Sequence, residues 1–168
     1  MIIPVFVTAI IYGEFRIALY LFIGASVTDL LDGLLARLTN QRTELGTFLD
    51  PLADKILLVT SFILFSIYGW VPKWLTIAVI SRDLIVVIGW LLLTVIFHTS
   101  KIEPVLTGKM AIASQMILLA YVLLSVTVSS VPPVYSYFVY FTAALTAISG
   151  VQYLYRGLKL THGNEKRH

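Results

Sequence analysis

Long apolar runs, each closed by a short cluster of turn-forming and charged residues, are the dominant pattern of this chain. The runs approach the ~20 residues that a helix needs to cross the bilayer core. They predict spans at Arg16–Leu38, Leu45–Tyr68, Leu75–Phe97, Gly108–Val128 and Val134–Tyr155. The breaks fall at Tyr12-Gly13-Glu14, Thr39-Asn40-Gln41-Arg42, Tyr68-Gly69-Trp70-Val71-Pro72-Lys73-Trp74 and Val131-Pro132-Pro133. Trp70, Trp74 and Tyr135 sit at such breaks, where aromatic residues anchor a helix to the membrane interface. A further apolar segment, Met1–Tyr12, precedes the first break. Its helical rise of about 18 Å is too short for a full span, so it reads as a short or truncated first helix with an internal start. It lacks the basic flank and small-residue cleavage site of a signal peptide.

The expected fold is therefore all-α and polytopic, with six transmembrane helices in a single membrane domain, 1–168. Residues from about 159 to 168 read as a flexible basic tail drawn to anionic lipid. Composition agrees. Of 168 residues 58% are apolar and only 12% charged, against about 25% charged in soluble domains; mean hydropathy is +0.90. There is no cysteine, which excludes disulfides and thiolate chemistry. The pI near 9.2 favours anionic lipid or phosphate partners over nucleic acid.

Basic residues near span ends orient the chain. Arg37, Arg42, Lys101, Lys109, Arg156, Lys159, Lys166 and Arg167 fall on one side; Arg16 and Lys73 fall on the other. The first set is expected to be cytoplasmic, and an even number of helices then puts both termini there.

Against this apolar background stand four carboxylates within 26 residues, in Asp29-x2-Asp32-Gly33-x2-Ala36-Arg37 and Gly46-x3-Asp50-x3-Asp54. A charge inside a bilayer costs about 2.5–3.5 kcal/mol even on lenient scales, so such a cluster implies a ligand. At 100° per residue, Asp29, Asp32, Gly33 and Ala36 share one helical face, and Gly46, Asp50, Ala53 and Asp54 share another. The short connection makes the two helices antiparallel neighbours, with the acids at a shallow cytoplasmic depth. The acids can hold metal, and the small residues let a bulky ligand approach the backbone. Arg37 ends the first helix, placed for a phosphate. Clustered carboxylates repel, so divalent cations are needed to keep them ionised together. All-oxygen ligation suits Mg²⁺ or Mn²⁺, and two ions could clamp a pyrophosphate for displacement at phosphorus.

The full pattern D-x2-D-G-x2-A-R-x8-G-x3-D-x3-D resembles the signature of the CDP-alcohol phosphatidyltransferases, matched here at every position. The resemblance implies CDP-diacylglycerol as donor, with its pyrophosphate on metal and its cytidine near Gly33, Ala36 and Gly46. It implies attack by an acceptor hydroxyl on the lipid-bound phosphorus and loss of CMP. Carried over by position, Asp29, Asp32 and Asp50 look like the principal metal ligands. Asp54 looks like the base, with a second contact to metal. The resemblance also implies a homodimer; the expected location is a bacterial inner membrane, with the site facing the cytoplasm as the basic residues orient it.

Within the family, Leu49-Asp50-Pro51-Leu52-Ala53-Asp54-Lys55 and Thr107-Gly108-Lys109 with Gln115 resemble the glycerol branch, which acts on glycerol-type acceptors. Asn40-Gln41-Arg42 and Ile80-Ser81-Arg82-Asp83 lean towards its cardiolipin-forming side. Glycerol 3-phosphate, a dianion, needs convergent cations, for which Lys109, Arg82 and Lys55 are the candidates; it is the acceptor expected first, ahead of phosphatidylglycerol. For Arg82 a local ion pair with Asp83 weighs equally, and it is expected in the half of its span away from the cytoplasm. Lys55 projects about 100° from Asp54 and would tune the carboxylates rather than touch substrate. Ser114 and Gln115 are expected to hydrogen-bond across helices. The aromatics of the last span read as packing and lipid contact, and His98, His162 and His168 as interface or tail. One departure stands out: Ile2-Ile3-Pro4-Val5-Phe6-Val7 matches only the end of the first helix of glycerol-branch relatives.

A divalent-cation transporter would also place acids in a helical bundle. Here the acids crowd one side of the membrane, and Ile56–Phe65 and Ile85–Ile96 offer no polar path across it. A transferase fits; a transporter does not.

Overall fold

The computed structural model describes residues 2–39, 44–97, 106–128, 130–132 and 136–164, with side chains over 2–28, 31, 55–89, 106–128, 130–132 and 136–155. Among the described residues every regular element is helical: α1 Ile2–Ile11, α2 Phe15–Thr39, α3 Glu44–Ile67, α4 Lys73–Phe97, α5 Leu106–Thr127 and α6 Ser136–Asn164. The turn clusters punctuate the apolar runs closely enough that α2 to α5 start and stop within two residues of the expected spans. At its C-terminal end α6 departs from expectation. It passes Tyr155 and continues to Asn164, so the basic segment expected to be a loose tail begins as helix. Leu158, Lys159 and Leu160 are good helix formers, and no proline interrupts the run.

By length and composition, Leu106–Thr127 is the described helix able to cross a membrane alone, at a mean hydropathy of 1.9. Ile2–Ile11, Phe15–Thr28 and Lys55–Ile67 are shorter apolar stretches.

The chain forms two compact units. One comprises Met1–Val71 with Leu119–Val134, the other Pro72–Leu118 with Tyr135–His168, so α5 contributes to both.

In the first unit α1 packs on α2 and, less extensively, on α3. Phe6 and Phe22 meet with ring centroids 6.0 Å apart, and both are buried with Ile10, Phe62 and Phe65. Two helices of this unit end in the same cap. At the end of α1 the Gly13 amide donates to Ile10 O and the Glu14 amide to Ala9 O, with Gly13 at φ 78°. At the end of α3 the Gly69 amide donates to Ser66 O and the Trp70 amide to Phe65 O, with Gly69 at φ 75°. Glycine adopts this left-handed geometry without Cβ strain, and the paired bonds satisfy carbonyls the helix leaves open. The second cap also brings Trp70 onto Phe65 with ring centroids 5.3 Å apart, the apolar contact such caps favour. Phe15 and Tyr68 complete the cluster, at 5.2 and 5.1 Å from Trp70. Of the other expected anchors, Trp74 is exposed and stacks on Tyr140 in the second unit, and Tyr135 lies outside the described residues.

The second unit is built on α4 against α6. Its interior is unusually polar: Thr76, Arg82, Asp83, Ser114, Gln115, Thr142, Thr146 and Ser149 are all buried. Small and hydroxyl side chains let helices approach closely where lipid offers no hydrophobic drive for association.

Candidate functional site

The sequence motif occupies regular helix throughout. Asp29, Asp32, Gly33, Ala36 and Arg37 lie on α2; Gly46, Asp50 and Asp54 lie on α3. An uninterrupted helical backbone preserves the 100° spacing that puts each set on one face. The side chains of these eight residues lie outside the described residues, as does the connection 40–43. Among the described residues no three or more His, Asp or Glu side chains gather as a metal site.

The second unit places the remaining candidates. Arg82 is 4% exposed. Its Nη1 donates to Asp83 Oδ1 at 2.6 Å, the local ion pair weighed from the sequence. Nη2 and Nε both donate to Ser149 Oγ, at 2.8 and 3.3 Å. The guanidinium carbon sits 5.5 Å from the centroid of the Tyr153 ring, in cation–π range. Gly108, near the start of α5, faces the same group: a Cβ there would lie 3.1 Å from both Arg82 Nη2 and Tyr153 Oη. The guanidinium of Arg82 thus lies beside the N-terminal end of α5. A long side chain lets the charged head lie well away from its own Cα. Lys109 is exposed beside Gly108, and Lys55, in the first unit, is half-buried.

One turn of α5 is tied to α6 by Thr107 Oγ1, which donates to Gln152 Oε1 at 2.6 Å. Further along, Gln115 Nε2 donates to Thr146 Oγ1 at 2.9 Å. Thr146 Oγ1 in turn donates to Thr142 O at 2.8 Å. Gln115 therefore crosses between helices as expected. Ser114 does not; its hydroxyl donates back to Ala111 O at 2.8 Å, satisfied within its own helix.

The sequence matches the profile of the CDP-alcohol phosphatidyltransferases over residues 1–149. The chain belongs to that family. It is 34% identical to the human cardiolipin synthase (CMP-forming) over 179 residues, covering 93% of this chain and 58% of the human protein. It is 33% identical to a probable phosphatidylglycerophosphate synthase of Mycobacterium tuberculosis over 166 residues, covering 94% of this chain and 76% of that one. A 63-residue stretch is 48% identical to the CDP-diacylglycerol–glycerol-3-phosphate 3-phosphatidyltransferase of Bacillus subtilis, covering 38% of this chain and 33% of that protein. The chain thus spans little more than half the length of the human relative.

For a CDP-alcohol phosphatidyltransferase, the sequence reading missed a second polar stripe. Thr142, Thr146, Ser149, Gly150 and Tyr153 recur on α6 at helical spacing and so share one face. That stripe meets Arg82, whose Cγ lies 3.4 Å from a Cβ built on Gly150. Small and hydroxyl residues at i, i+4, i+7 and i+8 carry the signal in the sequence, masked there by the neighbouring aromatics. Tyr137, Tyr140 and Phe141 of the same helix are indeed exposed. The side chains of His98, His162 and His168 lie outside the described residues.

Proposed function

We propose that the chain is a membrane phospholipid synthase that transfers a phosphatidyl group from CDP-diacylglycerol to glycerol 3-phosphate, releasing CMP. The complete two-helix motif, carried without interruption on α2 and α3, is the observation that supports this. The names of the mycobacterial and Bacillus relatives, both glycerophosphate-directed, support the choice of acceptor.

The acceptor hydroxyl attacks the phosphorus that bears the diacylglycerol. Its new P–O bond replaces the bond to the CMP oxygen, and CMP departs with the pyrophosphate electrons. Asp54 takes the hydroxyl proton. Asp29, Asp32, Asp50 and Asp54 supply only oxygen donors, which suits two Mg²⁺ or Mn²⁺ ions, and these would neutralise the pyrophosphate when bound. Gly33, Ala36 and Gly46 make room for the cytidine, and Arg37 pairs with a donor phosphate. Lys109 and Arg82 are the cations for the acceptor phosphate.

The same reading makes the six helices transmembrane, the first of them short, with both termini and the site at the cytoplasmic face, in a homodimer. The excess of basic residues at one set of helix ends supports the orientation.

A second reading is favoured by Ile80-Ser81-Arg82-Asp83 and by the human relative, named a cardiolipin synthase. It takes phosphatidylglycerol as acceptor through the same displacement.

CMP release from CDP-diacylglycerol decides between the readings, measured with Mg²⁺ or Mn²⁺ and with glycerol 3-phosphate or phosphatidylglycerol in separate reactions. Release with glycerol 3-phosphate alone supports the first reading. Release with phosphatidylglycerol alone replaces it with the second, and release with neither rejects both.

A further inference from the structure

Arg82 is held more firmly than an ion pair with Asp83 requires. A guanidinium has five N–H groups. Asp83 takes one from Nη1, and Ser149 Oγ takes one from Nη2 and the one on Nε. One N–H on each Nη is then left without a partner among the described residues. Tyr153 lies against the guanidinium. Nη2 stands 3.1 Å from the point where Gly108 would carry a Cβ, and Tyr153 Oη stands at the same distance from that point.

The long rotatable stem of arginine would otherwise let the fork swing, and a phosphate ligand needs it fixed. An unconstrained arginine loses side-chain freedom when a ligand immobilises it, whereas one already fixed does not. Asp83 offsets the charge of Arg82 while taking only one of its five N–H groups. Gly108, having no side chain, lets Nη2 and the Tyr153 ring pack close against α5.

We propose that Ser149 and Tyr153 are positioning residues that hold Arg82 ready for the phosphate of the acceptor. Ser149 occupies the Nε–Nη2 edge and the Tyr153 ring supports the guanidinium, so that the remaining N–H groups are presented beside Gly108. The ligand class is a glycerol-linked phosphate, either free as in glycerol 3-phosphate or part of a lipid headgroup as in phosphatidylglycerol. The inference rests on the proposed reading of the reaction.

The test is to measure KM for the acceptor and KM for CDP-diacylglycerol on the purified full chain and its variants, each acceptor being offered separately. Ser149→Ala is expected to raise the acceptor KM about tenfold, as losing hydrogen bonds to a charged group does, with the CDP-diacylglycerol KM within about twofold. Ser149→Thr keeps the hydroxyl and is expected to recover the wild-type value. Tyr153→Phe keeps the ring and is expected to be silent, whereas Tyr153→Leu is expected to raise the acceptor KM about fivefold, from loss of the cation–π contact. Arg82→Gln separates the two levels of the argument. If it leaves the acceptor KM unchanged, Arg82 does not touch the acceptor and that part of the functional reading falls, taking the inference with it. If it raises the acceptor KM while Ser149→Ala and Tyr153→Leu do not, the positioning role alone is wrong. Equal rises in both KM values for Ser149→Ala, unrelieved in Ser149→Thr, would mean a structural role and also overturn the proposal. Thermal protection by each acceptor reads the same site without turnover. Protection of the wild type that is lost in Ser149→Ala is expected, and no protection of the wild type by either acceptor counts against the site.

Discussion

Gly108 of α5 comes so close to Arg82 of α4 that a Cβ built on the glycine would lie 3.1 Å from Arg82 Nη2. The neighbour must therefore yield by a few tenths of an ångström if any side chain is added. Replacing glycine with alanine inside a helix gains about 1 kcal/mol of intrinsic propensity. Overpacking a filled site costs about 1–3 kcal/mol. Gly108→Ala is therefore expected to change stability by no more than ~2 kcal/mol, seen as a small shift in thermal unfolding. Its larger effect falls on Arg82 and Tyr153, so the acceptor KM should rise several-fold. An unchanged acceptor KM would show that the close packing of Gly108 on Arg82 and Tyr153 does not matter to the acceptor.

Asp83 has the opposite character, since its loss leaves the buried Arg82 charge unmatched. Breaking a buried pair from one side costs about 3–5 kcal/mol. Asp83→Ala should lower the unfolding midpoint sharply, and the double variant Arg82→Met with Asp83→Ala should regain most of that loss. A double variant as unstable as the single one would contradict the pairing as the source of the effect.

Gln115 is 1% exposed, and its Oε1 has no partner among the described residues. Gln115→Leu removes one hydrogen bond across the helices, worth about 0.6 kcal/mol on average in a membrane protein. It also removes an unsatisfied buried oxygen, whose cost is about 1–3 kcal/mol. Thr146 keeps its donation to Thr142 O, so no new orphan donor appears. The expected result is stability equal to or slightly above the wild type, with CMP release retained. A loss greater than ~2 kcal/mol would show that Gln115 Oε1 is satisfied in solution, water being the obvious partner.

Asp54→Asn is expected to abolish turnover while leaving CDP-diacylglycerol binding largely intact, because an amide can still contact ligand but cannot take a proton at neutral pH. Chelation of divalent cations should stop CMP release in the wild type, and added Mg²⁺ or Mn²⁺ should restore it. Measured turnover near wild-type in Asp54→Asn would remove it from the role of base.

The helices were legible because apolar runs and turn clusters mark helical segments directly. Gly13 and Gly69, for example, sit at predicted breaks and both adopt the positive φ that a helix-ending cap requires. The end of α6 was less legible, since a polar, basic composition does not by itself separate a helical extension from a tail. For the chemistry, the motif from Asp29 to Asp54 could be read in full, because its residues are close in sequence and helical periodicity alone places them on faces.

Sequence by itself determined the helical elements and the family-specific aspartate pattern. Only the tertiary structure decided which groups surround Arg82. Its Ser149 partner lies 67 residues away on α6, together with Tyr153, and Gly108 comes from α5. Periodicity identifies which residues share a helix face, but which faces meet depends on packing between elements distant in the chain. The polar stripe of α6 gains its meaning when α4 brings a buried arginine against it.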